Sequence, residues 1–514
     1  MAGPSFLTTA LSFPILLALG ILVRVPALWH PVEEGQRNAQ TACLTAHMVE
    51  DGCFRLDPIA PWRGDLKARL TQEFPLYNAL VLALNRLSGG NLDLMGRTVS
   101  LAFWVVSFGL LQAVWRKALP EVARPWANLL FIFSPMNWYL STAFMPESLV
   151  QFLSIALILL SLQHASRPSI ATATALVAVA FWGLGIKFPS FVHLGLFLTL
   201  VLVDRLSWRG LFHPVLLLGG CLILASLLAW SRWMETVNST YFPYWTGREN
   251  LMGFIMPERS RLSGSFWIPL VAYNFFLIVP LLAVPWMAAG LVKAWQGRSD
   301  FSSRVWLYLL TSLGVSWLVW GKGPAAQSYY NLPNLVCFSA FFGLGVASMN
   351  SLPMAITRSL KMNSWGAVAG AFFLFAWGTA GAFYLSQPDI PTLQAARWAR
   401  NHTKADDLIL YQPRHAPAVM DYEHQPLLSH ASGRRTWIWT RSTPDWEKER
   451  ALRSASYLII THPPPEPGFF ESLRRSFKGP PPTLPAPLTS LFPNTFTQIA
   501  NEPAFVVYQK LPAP

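Results

Sequence analysis

About eleven apolar runs follow one another through the first 386 residues of this 514-residue chain, more than the core of a soluble domain absorbs. They lie near 6–28, 97–115, 125–143, 148–163, 170–186, 189–203, 211–230, 267–290, 305–320, 329–348 and 365–386. In lipid a backbone must satisfy its own polar groups, and a helix approaching roughly 20 apolar residues does so while crossing the hydrocarbon. Charged residues make up only 13% of the chain, against about 25% in soluble domains. The expected fold is therefore mostly α, a polytopic membrane protein of about eleven spans.

The formal charge of +13 would suggest nucleic acid in a soluble protein. Here Lys and Arg collect in short loops between spans, so no nucleic-acid partner is expected. With the N-terminus in the cytoplasm, the inner loops carry Arg116, Lys117, Arg124, Arg167, Arg205, Arg209, Lys293, Arg298, Arg304, Arg358 and Lys361. Their only acids are Glu121, Asp204 and Asp300. Basic residues resist translocation, so this bias orients the chain in a plasma or inner membrane. Arg24 disagrees, lying near the outer end of the first span. That first segment has no basic leader and no clear cleavage site, and reads as a retained span.

The outer face then holds a first loop (29–96), a loop near 231–266, a short link around Lys322 and everything after residue 387. Two domains are expected: a transmembrane domain over 1–386 and an extracytoplasmic α/β domain over 387–514. In the first loop, 34–49 and 78–87 read as surface helices too short to span. In the tail, 392–401 reads as an amphipathic helix, 408–411 and 457–461 as strands, and 496–499 with 505–508 as a hairpin. Proline runs at 463–465 and 480–482 read as extended linkers.

Polar residues gather on the expected outer face from many segments: Glu33, Glu34, Glu73, Arg97, Glu147, Lys187, Arg259, Arg261, Lys322, Gln327, Tyr329 and Tyr330. Carboxylates beside cations suit transfer of a group from a phosphate to a hydroxyl. The carboxylate takes the acceptor proton while Lys or Arg neutralises charge growing on the departing phosphate. Long cations also snorkel to membrane interfaces without chemistry, but short-stemmed carboxylates do so poorly, which singles out Glu33 and Glu34.

In their order these elements resemble polyprenyl-phosphate-sugar-dependent glycosyltransferases of the GT-C fold, in particular protein O-mannosyltransferases and lipid A aminoarabinose transferases. The family's acidic pair after the first span corresponds to Glu33-Glu34. Its Pro-Leu-Tyr element corresponds to Glu73-Phe74-Pro75-Leu76-Tyr77, and its arginine at the second span to Arg97. The acid opening the fourth span corresponds to Glu147, the lysine-proline element to Lys187-Phe188-Pro189, and the Tyr-Tyr-x-Leu-Pro element to Tyr329-Tyr330-Asn331-Leu332-Pro333. The resemblance covers residues 1–350 well and the tail loosely. It implies inverting transfer of a sugar from a polyprenyl-phosphate donor to a lipid, glycan or protein acceptor at the outer membrane face. Glu33 is then the base, or Glu34, because the family usually has Asp at the leading position. Lys187, Arg259, Arg261 and Lys322 are candidates for the donor phosphate, and Tyr77, Tyr329 and Tyr330 for packing against sugar or isoprenoid. Phe74 stands where some relatives have a lysine.

The competing class is a polytopic transporter or lipid flippase, which more often shows internal repeats and polar breaks at mid-bilayer. Neither pattern is visible here. No Gly-rich phosphate loop or Cys-x-x-Cys pair occurs, and His47, His193, His402, His415, His424, His430 and His462 lack metal-ligand spacing. No metal or other cofactor is assigned. Cys43 and Cys53 share the first loop, where a disulfide would close a short loop; the sequence leaves their separation open. Asn238-Ser239-Thr240 and Asn401-His402-Thr403 fit the glycosylation sequon.

Overall fold

The computed structural model describes residues 12–32, 36–240, 264–349, 364–413, 426–439, 443, 445–462 and 495–511. The chain divides into two compact units. The first comprises residues 1–29, 97–235 and 246–385; the second comprises 30–96, 236–245 and 386–514.

The first unit is helical. Five described helices are long and apolar enough to cross a membrane, six if one bent pair counts as a single span. They are Leu92–Ala118, whose first residues fall in the second unit, Glu147–Ser166, Ile170–Phe191, Pro214–Asn238 and Val368–Leu385. The expectation of about eleven spans is not reached by this measure because several apolar runs are shorter or broken. The run at 125–143 divides into Arg124–Phe133 and Pro135–Leu140, where proline lacks the N–H that would continue the helix. The run at 267–290 bends by 87° between Phe266–Ile278 and Leu281–Gln296, next to Pro280. The run at 189–203 becomes the 14-residue helix His193–Leu206.

Packing in this unit depends on close backbone approach. A Cβ on Gly290 would fall 1.9 Å from the Phe341 carbonyl oxygen, and one on Gly345 would fall 1.7 Å from that of Trp286. The Val284–Gln296 and Asn334–Met349 helices therefore cross where neither has a side chain, as is common between helices in lipid.

Arg24, near the end of the first apolar run, points into the helical unit. It is fully buried, its Nε donating to Ser141 Oγ at 2.6 Å and its guanidinium to the carbonyls of Gly20 (3.0 Å) and Ile132 (2.8 Å). Both carbonyls lie in the last turns of helices, where acceptors lack partners and the dipole favours a cation. Trp104 packs against the guanidinium, 4.0 Å from the ring centroid. This internal role explains why Arg24 escapes the charge bias.

The second unit is built on a five-stranded sheet in the order β2-β1-β3-β5-β4. Its strands are β1 (Leu408–Gln412), β2 (Arg435–Ile438), β3 (Tyr457–Thr461), β4 (Phe496–Glu502) and β5 (Phe505–Lys510). β1 runs parallel to β2 and β3, while β5 pairs antiparallel with β3 and with its hairpin partner β4. β1 and β3 are buried over four of their five residues, as expected for parallel strands covered on both faces. The expected tail helix is Ile390–His402, started by the Asp389 side chain accepting from the Thr392 N–H. β2 and the helices Leu427–Ser432 and Asp445–Ser454 were not foreseen. The proline runs lie outside the described residues.

The core of this sheet takes in the first loop. Cys43, Leu44, Ala60, Trp62, Leu66, Ala68 and Leu70 pack with residues of β1, β2, β3 and β5. Pro61 and Gly64 hydrogen-bond to Thr436 of β2, at 3.0 Å and 2.7 Å, so this stretch lies along the sheet's edge strand. Gly64 has φ +56°, and a Cβ there would lie 2.0 Å from Trp437. Beneath it, Arg63 and Glu447 form a buried ion pair, their side chains 2% and 1% exposed. The loop forms two helices, Gln36–Glu50 and Leu76–Ser88, close to the expected ranges, and residues 38–45 of the first are buried rather than spread on a surface.

Candidate functional site

The strongest concentration of foreseen residues lies in the first unit. The Ile170–Phe191 helix carries Pro189 in its interior and leaves helical geometry at Lys187, with φ −155° and ψ 77°. A proline both removes a hydrogen bond and crowds the carbonyl four residues back, so a break here follows from the sequence. Lys187 is 3% exposed and pairs with Glu147, in the first turn of the Glu147–Ser166 helix and itself 2% exposed. Its ammonium also sits 4.5 Å from the ring centroid of Tyr329 and 5.2 Å from that of Tyr330. Two aromatic faces and one carboxylate thus surround one cation, an arrangement in which ring quadrupoles add to the ion pair.

The Tyr pair lies on a short 3-10 turn, Ser328–Asn331, with ring centroids 4.7 Å apart. Tyr329 donates to Gln327. Three asparagines that the sequence reading missed hold this turn. Asn334 donates to Asn274 Oδ1 at 2.9 Å, Asn274 and Asn334 both donate to Asn331 Oδ1 at 3.2 Å, and Asn331 donates to the Pro324 carbonyl at 2.8 Å. Asn274 lies in a π-helical turn, Tyr273–Ile278, a local widening often found at functional sites. The available signal was an amide inside an apolar run, where polar groups need partners.

Arg97 is nearly fully buried, and its guanidinium donates to the Thr142 carbonyl at 2.8 Å. Ser100, one turn further on, donates to the Ala143 carbonyl at 2.6 Å. Together they fix the loop that leads into Glu147, so Arg97 supports the ion pair through the backbone. Lys322 opens the short helix Lys322–Ala326; its side chain, with Glu33, Glu34, Arg259 and Arg261, lies outside what the structure describes.

In the second unit Glu73 pairs with Arg37, which also donates to Gln72. Arg37 follows the acidic Glu33-Glu34 pair and was missed because its partner is 36 residues away. Asn78 donates to Thr45 Oγ1 at 2.7 Å and joins the two helices of the first loop. Tyr77, expected against sugar or isoprenoid, is 1% exposed and donates to the Gly96 carbonyl at 2.7 Å. Cys43 and Cys53 are free thiols. Cys43 is buried in the sheet core, its thiol held well above the usual range chiefly by desolvation, with Ser429 as hydrogen-bond partner. The sequon residue Asn238 is also buried, its side chain exchanging both hydrogen bonds with the Thr71 backbone, so it is not presented as a glycan acceptor. Among the described residues no three His, Cys, Asp or Glu side chains could hold a metal ion.

No protein-family model and no curated protein sequence matches the chain. Solved structures do. ArnT from Cupriavidus metallidurans bound to undecaprenyl phosphate is 14% identical, with a TM-score of 0.62, over 96% of this chain and 97% of that one. The archaeal oligosaccharyltransferase AglB from Archaeoglobus fulgidus, in complex with an inhibitory peptide and a dolichol phosphate, is 11% identical with a TM-score of 0.55. That match covers 89% of this chain and 69% of AglB. At such identities the likeness establishes architecture, and the chain is an integral membrane protein with the GT-C fold that the order of its motifs implied.

Proposed function

We propose that the protein is a membrane glycosyltransferase that moves a sugar from a polyprenyl-phosphate donor to a hydroxyl-bearing acceptor, with inversion at the anomeric carbon. The observation that carries this reading is Lys187, a buried cation between Glu147 and two tyrosine rings, in a fold whose ArnT example was solved with undecaprenyl phosphate. A buried Lys-Glu pair is weak evidence for stability, because desolvating both ions offsets their attraction. Its position at a proline-broken helix is better accounted for by a cation held ready for an anion.

In the proposed reaction the acceptor oxygen attacks the anomeric carbon and its proton passes to Glu33 or Glu34. The bond between that carbon and the phosphate oxygen breaks, and its electron pair leaves with the polyprenyl phosphate. Lys187 neutralises the departing phosphate; Tyr329 and Tyr330 hold its ammonium in place. Arg259, Arg261 and Lys322 remain candidates for further phosphate contacts. The basic inner loops support placing the reaction, the first loop and residues 387–514 on the outer face of a plasma or inner membrane. The transporter or flippase alternative draws no support from the similar structures.

The test is direct: purified protein in lipid nanodiscs is given a panel of undecaprenyl-phosphoryl sugars, and release of undecaprenyl phosphate is followed with products identified by mass. Glu33→Gln and Glu34→Gln should identify the base, one of them reducing turnover about a hundredfold. Wild-type rates in both variants would overturn carboxylate catalysis at this loop.

A further inference from the structure

One helical turn beyond Glu147, the Glu147–Ser166 helix carries a glutamine that neither the motif order nor the proposed chemistry uses. Gln151 is fully buried, yet its Oε1 and Nε2 both lack a hydrogen-bond partner among the described residues. Other buried amides in the chain have one unpartnered atom; Gln151 is the only described one with both. The second carboxylate oxygen of Glu147, Oε2, is likewise buried and unpartnered, while Oε1 holds Lys187. Residues four apart lie on one face of a helix, about 5–6 Å between Cβ atoms, so the Gln151 amide and the Glu147 carboxylate are neighbours in one polar patch on that face.

Leaving a buried amide unpaired is costly, and native interiors rarely tolerate it without a ligand or an ordered water. The patch offers two acceptors, Glu147 Oε2 and Gln151 Oε1, and one donor group, Gln151 Nε2. A phosphate oxygen is a poor match, since it brings charge and acceptors toward a carboxylate. A sugar hydroxyl both donates and accepts, and a pair of neighbouring hydroxyls would satisfy all three atoms at once. Glu147 would then face two ways, with one oxygen on the cation that meets phosphate and the other on the sugar.

We propose that Gln151, with Glu147 Oε2, is a sugar-hydroxyl subsite that reads the transferred sugar beside the phosphate-binding Lys187. The inference rests on the glycosyltransferase reading above and adds a specificity-determining residue to it.

The test compares binding of bare undecaprenyl phosphate with that of undecaprenyl-phosphoryl glucose, mannose and aminoarabinose, in wild type and Gln151→Leu. Leucine has similar bulk and no polar group to strand, so the fold should hold; thermal unfolding checks this. The expected result is unchanged affinity for bare undecaprenyl phosphate and about a tenfold loss for the preferred sugar-bearing lipid. The affinity ratio is the readout, because a purely structural defect would weaken both ligands alike. Gln151→Asn, which keeps the amide but shortens its reach, should fall between. Free methyl glycosides form a second arm. A Gln151-dependent affinity for them, with the lipid ratio unmoved, would assign the same hydroxyl chemistry to an acceptor sugar. An unmoved ratio and no such affinity would overturn the subsite and leave ordered water as its occupant. If wild type binds no undecaprenyl-phosphoryl species at all, the glycosyltransferase reading itself fails, an outcome distinct from any effect of Gln151.

Discussion

Two buried ion pairs, one in each unit, show how little burial alone says about role. Lys187–Glu147 and Arg63–Glu447 are equally hidden, with side chains at most 3% exposed in both. Their surroundings differ. Lys187 springs from a helix broken by Pro189 and is flanked by two tyrosine rings. Arg63 belongs to a segment tied to β2 through Pro61 and Gly64 and sealed by Trp437, whose indole donates to Ser454 at 2.8 Å. The first cation is a compact, point-like charge on a flexible stem, held by a carboxylate and two rings. The second is a planar fork fixed in a packed edge. On the function proposed above the pair in the bundle serves a ligand, whereas the pair in the sheet holds two distant parts of the chain together.

The largest expected effect tests the sheet pair. Arg63→Ala strands a buried carboxylate and should cost about 3–5 kcal/mol, seen as a lower unfolding temperature and increased proteolysis of residues 36–96. Little change would mean that the pair is incidental to docking of the first loop.

Paired apolar replacements sharpen the contrast. Arg63→Met with Glu447→Leu should restore most of the stability and keep turnover near wild type. Lys187→Met with Glu147→Leu should fold equally well but lose about a hundredfold in turnover, together with affinity for undecaprenyl phosphate. Retained activity in the second double variant would erase the distinction between the pairs.

Smaller in effect is Gly64→Ala. It places a methyl group where Trp437 lies and forces a left-handed backbone on alanine, so a loss of about 1–3 kcal/mol in stability is expected, with catalysis on the folded fraction unchanged. A wild-type unfolding temperature would show that the loop lies less tightly on β2 than described.

The smallest effect is a pH slope. Burial raises the Glu447 carboxyl above its ordinary value of 4.5, and Arg63 only partly offsets this. The folded state therefore binds a proton more tightly than the unfolded state. This contribution to stability is present below pH 4.5 and is lost as pH rises through the folded-state value. Glu447→Gln should flatten that slope, and an identical pH profile would show that another group causes it.

Much of the bundle was legible in the sequence because hydrophobic periodicity and proline act locally. The runs, the Lys187-Phe188-Pro189 break and the first-loop helices all follow from neighbouring residues. Residues 408–411 and 457–461 were recognisable as strands from their apolar β-branched and aromatic content, the first one residue short of its observed end at Gln412. β2 was not, because Arg435-Thr436-Trp437-Ile438 is short and begins with a charge; its strand character comes from β1 on one side and Pro61–Gly64 on the other. At the site, Glu147, Lys187, Tyr329 and Tyr330 were foreseen as members but not as direct partners. Arg37, Gln151 and the three asparagines were missed because their significance lies in what surrounds them. Tyr77 was assigned to sugar or isoprenoid by its aromatic character, and nothing in the sequence signalled that its buried hydroxyl donates to the Gly96 carbonyl.

The bond between Arg63 and Glu447 spans 384 residues of sequence. Synthesis at 5–20 residues per second puts roughly 20–80 s between the appearance of one partner and the other. Throughout that interval Trp62, Leu66 and Leu70 have no sheet to cover them, and Arg63 has no counter-ion. The nascent first loop must therefore be kept from aggregation by other means, the membrane surface or a chaperone, until the last quarter of the chain arrives. Variants that slow completion of the tail should be degraded from the first loop outward, well before any defect in the finished protein could act.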